Sequence, residues 1–178
     1  MTSSSFHPRP PPRAYIDTMV FIYHFKSHGL TSKADRFFHD IENGKYAGVT
    51  TSFTITEYLG VMRKALTEVR DRPITSTDVS RLRKEIEKFI SDMGIIYFDA
   101  DALASPIYGK LFSSTENIVE NAKPFKSFRN NRWYLVNGAD ALHVSLALRT
   151  GADLYATFDD DFRGIDHWIK PLMLFEAY

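Results

Sequence analysis

The chain contains no cysteine. Disulfides and thiolate zinc sites are therefore excluded, and the composition fits a reducing compartment. It also has no apolar run near the roughly 20 residues that cross a bilayer, so no membrane span is expected. Net charge is missing too, because 22 basic residues balance 22 acidic ones. A nucleic-acid site on such a chain must come from local clustering of charge. The opening residues, MTSSSFHPRPPPR, lack the apolar segment of a signal peptide. Four of the eight prolines fall in residues 8–12, so residues 1–13 are expected to form a disordered tail ahead of the folded part. A cytoplasmic protein is expected.

What remains, residues 14–178, is long enough for one well-cored domain and short for two. Apolar Ala14–Ile16 reaches Asp17 and then a second apolar run, TMVFIYHF, which predicts a buried strand feeding a buried helix. Ala34, Phe37, Phe38 and Ile41 recur at helical spacing, with Ser32 as the expected N-cap and Gly44 as the stop. Tyr46–Thr50 reads as a strand. Ile55, Tyr58, Leu59, Met62, Leu66 and Val69 form one helical stripe, and Val79, Leu82, Ile86, Phe89, Ile90 and Met93 form the next. Ile95–Phe98 predicts a third strand, residues 101–121 two short helices, and residues 123–132 a loop. A helix capped by Asn137 and stopped at Gly151 precedes a strand at Leu154–Thr157, and Leu172–Phe175 reads as a last edge strand beside Pro171. Strands alternating with helices imply an α/β fold, three layers α/β/α with a mainly parallel central sheet. Ligand sites in such sheets lie beyond the carboxyl ends of the strands.

The acidic residues follow that rule. Asp17 ends the first strand, Glu57 and Asp140 sit in first turns of helices, and Asp159 and Asp161 follow the strand ending at Thr157. Four segments thus deliver carboxylates to one edge of the sheet. Converging carboxylates repel and raise one another's pKa unless a cation compensates. Mg²⁺ or Mn²⁺ suits oxygen ligands held with waters and phosphates, which points to phosphodiester hydrolysis. Each residue also has a plainer reading. Thr54-Ile55-Thr56-Glu57 fits a capping box, Asp140 suits the positive end of a helix dipole, and Asp159–Asp161 suits a solvated turn. Asp17 is harder to dismiss, because it interrupts an apolar segment between Ile16 and Val20 and a buried carboxylate there needs a partner.

The stretches YIDTMVFIY (15–23), TSFTITEYLG (51–60), GADALHVSLALRTGADL (138–154) and ATFDDDF (156–162) resemble the PIN-domain nucleases, most of all the compact VapC-like toxins. The resemblance implies that Asp17, Glu57, Asp140 and Asp159 are the catalytic, metal-binding quartet, with Asp161 an accessory metal-binding carboxylate and Thr18 and Thr157 polar supports. It also implies a Mg²⁺- or Mn²⁺-dependent endoribonuclease that acts on RNA, commonly as a homodimer, with an antitoxin partner in a type II toxin–antitoxin pair. Met19 and His143 depart from the family pattern, as does extra length between Ser105 and Trp133.

That extra length holds KPFKSFRNNR, where Lys123, Lys126, Arg129 and Arg132 are interleaved with Phe125 and Phe128 and no acid intervenes from Asn121 to Val136. Basic groups can follow a phosphate backbone and exposed rings can stack on unpaired bases; a solvated loop with its phenylalanines in the core is the alternative. His143, one turn after Asp140, would either shuttle protons or pack in the core. Two rivals stand beside the toxin reading. One is an RNA-processing nuclease or a catalytically silent RNA-binding or assembly module on the same fold. The other is a phosphotransfer domain, disfavoured because Met19 stands where such phosphatases place a second aspartate.

Overall fold

A computed structural model describes residues 9–69, 73–104, 111–126 and 132–178. The first eight residues of the expected tail, residues 70–72, residues 105–110 and residues 127–131, with Arg129 and Phe128 among them, lie outside the described residues. Among the described residues no helix is long and apolar enough to cross a membrane.

Strand β1 (Arg13–Ile16) leads through Asp17 into α1 (Thr18–Phe25), and α2 (Thr31–Glu42) follows. Next come β2 (Ala47–Thr51), α3 (Ser52–Val69), α4 (Ser76–Asp92) and β3 (Ile96–Phe98). Two short helices, α5 (Ala100–Leu103) and α6 (Leu111–Asn121), precede a small antiparallel hairpin of β4 (Phe125–Lys126) and β5 (Trp133–Tyr134). Helix α7 (Gly138–Arg149), strand β6 (Leu154–Thr157), a 3-10 helix at Asp160–Ile165, β7 (Lys170–Met173) and α8 (Leu174–Ala177) complete the chain.

Five strands form one sheet in the order β3-β2-β1-β6-β7, and every neighbouring pair is parallel. Such a sheet must be covered on both faces, and strand side chains alternate between them. Ala14, Ile16 and Ala156 therefore pack with Phe21, Phe37 and Ile86 on one face. Tyr15 and Tyr155 pack with Val144, Leu146 and Ile165 on the other. The result is the three-layer α/β/α arrangement expected from the sequence. Strand β1 sits at the centre; the chain moves from it to β2 and β3 on one side and then crosses to β6 and β7 on the other, so the switch in strand order lies at the carboxyl ends of β1 and β6.

Several boundaries differ from expectation, each for a local reason. Helix α2 starts at Thr31 with Leu30 before it, and no side chain caps it. Ser32 is therefore not the N-cap; Thr31 Oγ1 instead accepts the His28 N–H at 3.0 Å and donates to the Tyr23 carbonyl at 2.8 Å, fastening the helix to the end of α1. The far end of the α3 stripe carries no burial, since Val69 is 84% exposed. The last strand begins two residues earlier than expected, at Lys170, and includes Pro171, tolerated because β7 is an edge strand. Phe175 belongs to the closing helical turn.

The stretch 123–132 is not simply a loop, because Phe125–Lys126 pairs with Trp133–Tyr134. Phe125 lies 5.1 Å under the Arg163 guanidinium. The backbone of Lys123 passes so near Gly164 that a Cβ there would meet the Lys123 carbonyl oxygen at 2.1 Å. Only glycine permits that approach, and it docks the hairpin on the 3-10 helix.

Candidate active site

Asp17, Glu57, Asp140 and Asp159 all line one pocket of about 360 Å³ at the carboxyl edge of the sheet. Thr18 and His143 complete its polar side, while Met19, Ile22 and Val61 form an apolar wall. No Lys or Arg is among the lining residues. Asp161 is not one of them either.

Asp17 is placed by sheet register. Ile16, the last residue of β1, pairs with Ala156, so Asp17 just beyond it comes beside Thr157, and the Asp17 N–H donates to the Ala156 carbonyl at 3.1 Å. The Asp17 side chain caps α1, with Oδ1 accepting the Thr18 N–H at 2.7 Å, while Oδ2 accepts the Thr157 hydroxyl at 2.7 Å. That hydroxyl in turn accepts the Asp159 N–H at 3.0 Å. Thr157 thus ties the two acidic segments together. Burial holds the Asp17 carboxyl above the usual range, against the lowering effects of His143 and of these hydrogen bonds.

Glu57 lies inside α3, so Thr54 and Glu57 make no capping box. Thr54 Oγ1 is instead 3.1 Å from the buried Tyr15 hydroxyl. Glu57 Oε2 accepts the Thr18 hydroxyl at 2.8 Å and a short bond from His143 Nε2. His143 Nδ1 is 3.1 Å from the Tyr15 hydroxyl, which also lies 3.0 Å from Thr51 Oγ1. Since a carboxylate only accepts, His143 donates from Nε2, and in its neutral form Nδ1 is left to accept from Tyr15. The buried threonines, Tyr15, His143 and Glu57 therefore form one continuous chain of hydrogen bonds. Burial pushes the Glu57 carboxyl up, but the hydrogen bond and charge of His143 and the Thr18 hydroxyl outweigh it, and the net shift is downward.

Asp140 does serve the helix end: Asn137 caps α7, and Asp140 Oδ2 accepts the Asn137 N–H at 3.0 Å. The same side chain lines the pocket. Burial, together with Asp159, Asp161 and Asp17, raises it to about 6, although the Asn137 bond acts the other way. Asp159 caps the 3-10 helix by accepting the Asp161 N–H at 2.9 Å. Asp161 is itself raised to about 6, by burial first and then by Asp159 and Asp160. The middle aspartate has a structural partner: Asp160 accepts from Arg163 Nε at 2.7 Å, and Arg163 also pairs with Glu176.

Among the described residues no three His, Asp or Glu side chains are gathered tightly enough to hold an ion by themselves. The donor chemistry nevertheless fits a hard divalent cation. Mg²⁺ is usually held by one or two carboxylates, the rest of its shell being water and phosphate oxygens. Asp17 Oδ1 accepts the Thr18 N–H and, at 3.5 Å, the Tyr155 hydroxyl, whereas Oδ2 accepts the Thr157 hydroxyl and keeps a second lone pair.

Of the basic residues singled out from the sequence, Lys123, Lys126 and Arg132 are exposed beside the hairpin, and Arg129 lies outside the described residues. Sequence reasoning passed over Tyr15 and Trp133. Tyr15 left one usable sign, a phenol in the most buried run of the chain, which must find a hydrogen-bond partner.

The PIN domain family model matches residues 14–167. No curated protein matches the chain.

Proposed function

The chain belongs to the PIN-domain family, whose members are in general nucleases, and on that premise we propose that it is a Mg²⁺- or Mn²⁺-dependent endoribonuclease. One observation carries the reading: carboxylates from four separate segments line a single pocket that has no Lys or Arg among its lining residues to neutralise them.

Asp17, Glu57, Asp140 and Asp159 would hold the cation, with Asp161, whose charge reaches Asp140, as an accessory carboxylate. When bound, the cation supplies charge neutralisation at the phosphate and lowers the pKa of water. The protein's part is orientation. Thr157 and the Thr18 N–H fix both oxygens of Asp17, while Thr18 Oγ1 and His143 fix Glu57. Asn137 holds Asp140 at the head of α7. With water placed in line, its oxygen adds to phosphorus and the P–O3′ bond breaks. The strand is left with 5′-phosphate and 3′-hydroxyl ends, the proton lost by water being returned to the 3′ oxygen through solvent. This chemistry does not use the RNA 2′-hydroxyl.

The likeness of the four motif stretches to compact toxins supports a role as the toxin of a type II pair, and the same likeness supports a homodimer. Co-expression with the product of the neighbouring gene tests the first, and light scattering the second. For the enzyme itself the test is cleavage of an end-labelled RNA. Added EDTA and, separately, Asp17→Asn should each abolish it; full activity in either case refutes the mechanism.

A further inference from the structure

Trp133 is 66% exposed, on a hairpin whose neighbour Leu135 is 51% exposed. The other tryptophan, Trp168, packs against the second core. A large apolar ring left in water is informative when it has a charged companion. Here Lys126 Nζ stands 5.7 Å from the Trp133 ring centroid. Lys123 and Arg132 are exposed nearby, and no acidic residue occurs between Asn121 and Val136.

The hairpin is fixed at both ends to the segments that carry the carboxylates. On one side Phe125 lies under Arg163, and the Lys123 backbone abuts Gly164, both in the 3-10 helix that Asp159 caps. On the other side β5 runs through buried Val136 into Asn137, whose Oδ1 receives the Asp140 N–H at 3.2 Å. A group resting on Trp133 is therefore held at a set place relative to the pocket. Phe125, an attractive stacking ring in the sequence, is occupied by Arg163.

We infer that Trp133 and Lys126 form a platform for single-stranded nucleic acid beside the pocket, an unpaired base stacking on the indole and a phosphate pairing with Lys126. Stacking accepts any base because every base has a π-face, so the platform supplies affinity and strand position without sequence reading. A duplex, whose bases are already stacked, has nothing to offer it. The platform is independent of hydrolysis; only the use made of the bound strand rests on the nuclease reading.

Binding is measured on the full chain in EDTA, so that no cleavage intervenes. The probes are a labelled unstructured RNA of about ten nucleotides, within the footprint of single-strand binders, the same sequence as DNA, and the duplex. Single strands should quench tryptophan emission and the duplex should not; a Trp168→Phe background assigns the change to Trp133. Trp133→Ala should weaken single-strand binding, read by anisotropy, about tenfold, the scale of one stacked base. Trp133→Phe should recover much of the loss, and Lys126→Ala should flatten the salt dependence by about one phosphate contact. With Mn²⁺ restored, Trp133→Ala should raise KM and leave kcat near the parent value. The RNA and DNA arms decide which sugar is preferred. Unchanged affinity in Trp133→Ala, or equal binding of duplex, overturns the platform even if the protein cleaves RNA. Quenching without cleavage under any divalent cation keeps the platform and removes the nuclease.

Discussion

Asp17 keeps both oxygens hydrogen-bonded while almost no solvent reaches it. Its raised pKa means that the ionised form is less favourable in the folded than in the unfolded chain at neutral pH. Asp17→Asn should therefore abolish cleavage while the Tm in EDTA at neutral pH stays at or above that of the parent. A fall of several degrees would mean that Asp17 serves the fold first. His143 poses the complementary test. His143→Leu cuts the chain from Tyr15 to Glu57, so Mn²⁺ affinity by calorimetry should drop about 10- to 100-fold, the usual effect of losing a group that orients a ligand. His143→Gln, whose amide can still donate to Glu57, should restore part of it. At this scale the sequence was partly legible. Asp17 stood out because it broke an apolar run, and Thr157 because it opened an acidic motif. Tyr15 did not, since a buried tyrosine and a core tyrosine look alike until the hydroxyl's partners are known. Glu57 was ambiguous for the opposite reason: Thr54 at the right spacing imitates a cap, and only the helix start at Ser52 removes that reading.

Helices and strands with strong periodicity fell where the pattern put them, and their glycine stops were dependable; Gly151 adopts φ 69° after α7. Short elements were harder. The two-residue strands of the hairpin have no period to read, and they exist because of contacts with Arg163 and Gly164 far along the chain. Gly164 is the weak point of that arrangement. Gly164→Ala puts a methyl group against the Lys123 carbonyl and should cost about 1–3 kcal/mol, the usual range for overpacking. Thermal melting should show a loss of roughly 2–4 °C per kcal/mol for a chain of this length, and single-strand binding should weaken in parallel as the hairpin lifts. Asn137→Ala tests the other anchor. It removes the acceptor for the N–H groups of Ala139 and Asp140, and the loss of such a cap costs about 1 kcal/mol. The backbone N–H that Asp140 accepts is still present in this variant, so cleavage should fall only as far as the loosened head of α7 displaces Asp140, and a complete loss would mean that the Asn137 amide itself acts in the site.

Zero net charge conceals an uneven distribution, an acidic pocket lined by Asp17, Glu57, Asp140 and Asp159 and a basic hairpin docked on the 3-10 helix. Asp140 and Asp161 are both raised to about 6. Groups raised in this way keep their protons in the folded chain after the unfolded chain has released them. Stability without cations therefore falls as pH rises from about 4 towards 7. Melting curves in EDTA should show a declining Tm across that window, and the double variant Asp140→Asn, Asp161→Asn should flatten the slope. Added Mn²⁺ should stabilise the parent more near pH 7 than near pH 5, where protons already occupy the carboxylates. An opposite slope would mean that the pocket is not electrostatically crowded. The layered architecture was legible from alternation alone, whereas the pocket's closure depends on register between strands that no local pattern encodes. Thr157 meets Asp17 across 140 residues of chain, the one ending β6 and the other following β1, two strands paired in the middle of the sheet. A nuclease assembled in this way has no cutting edge until its C-terminal third has been synthesised and inserted. If the proposed ribonuclease reading holds, a nascent chain lacking that third would leave the message that encodes it intact.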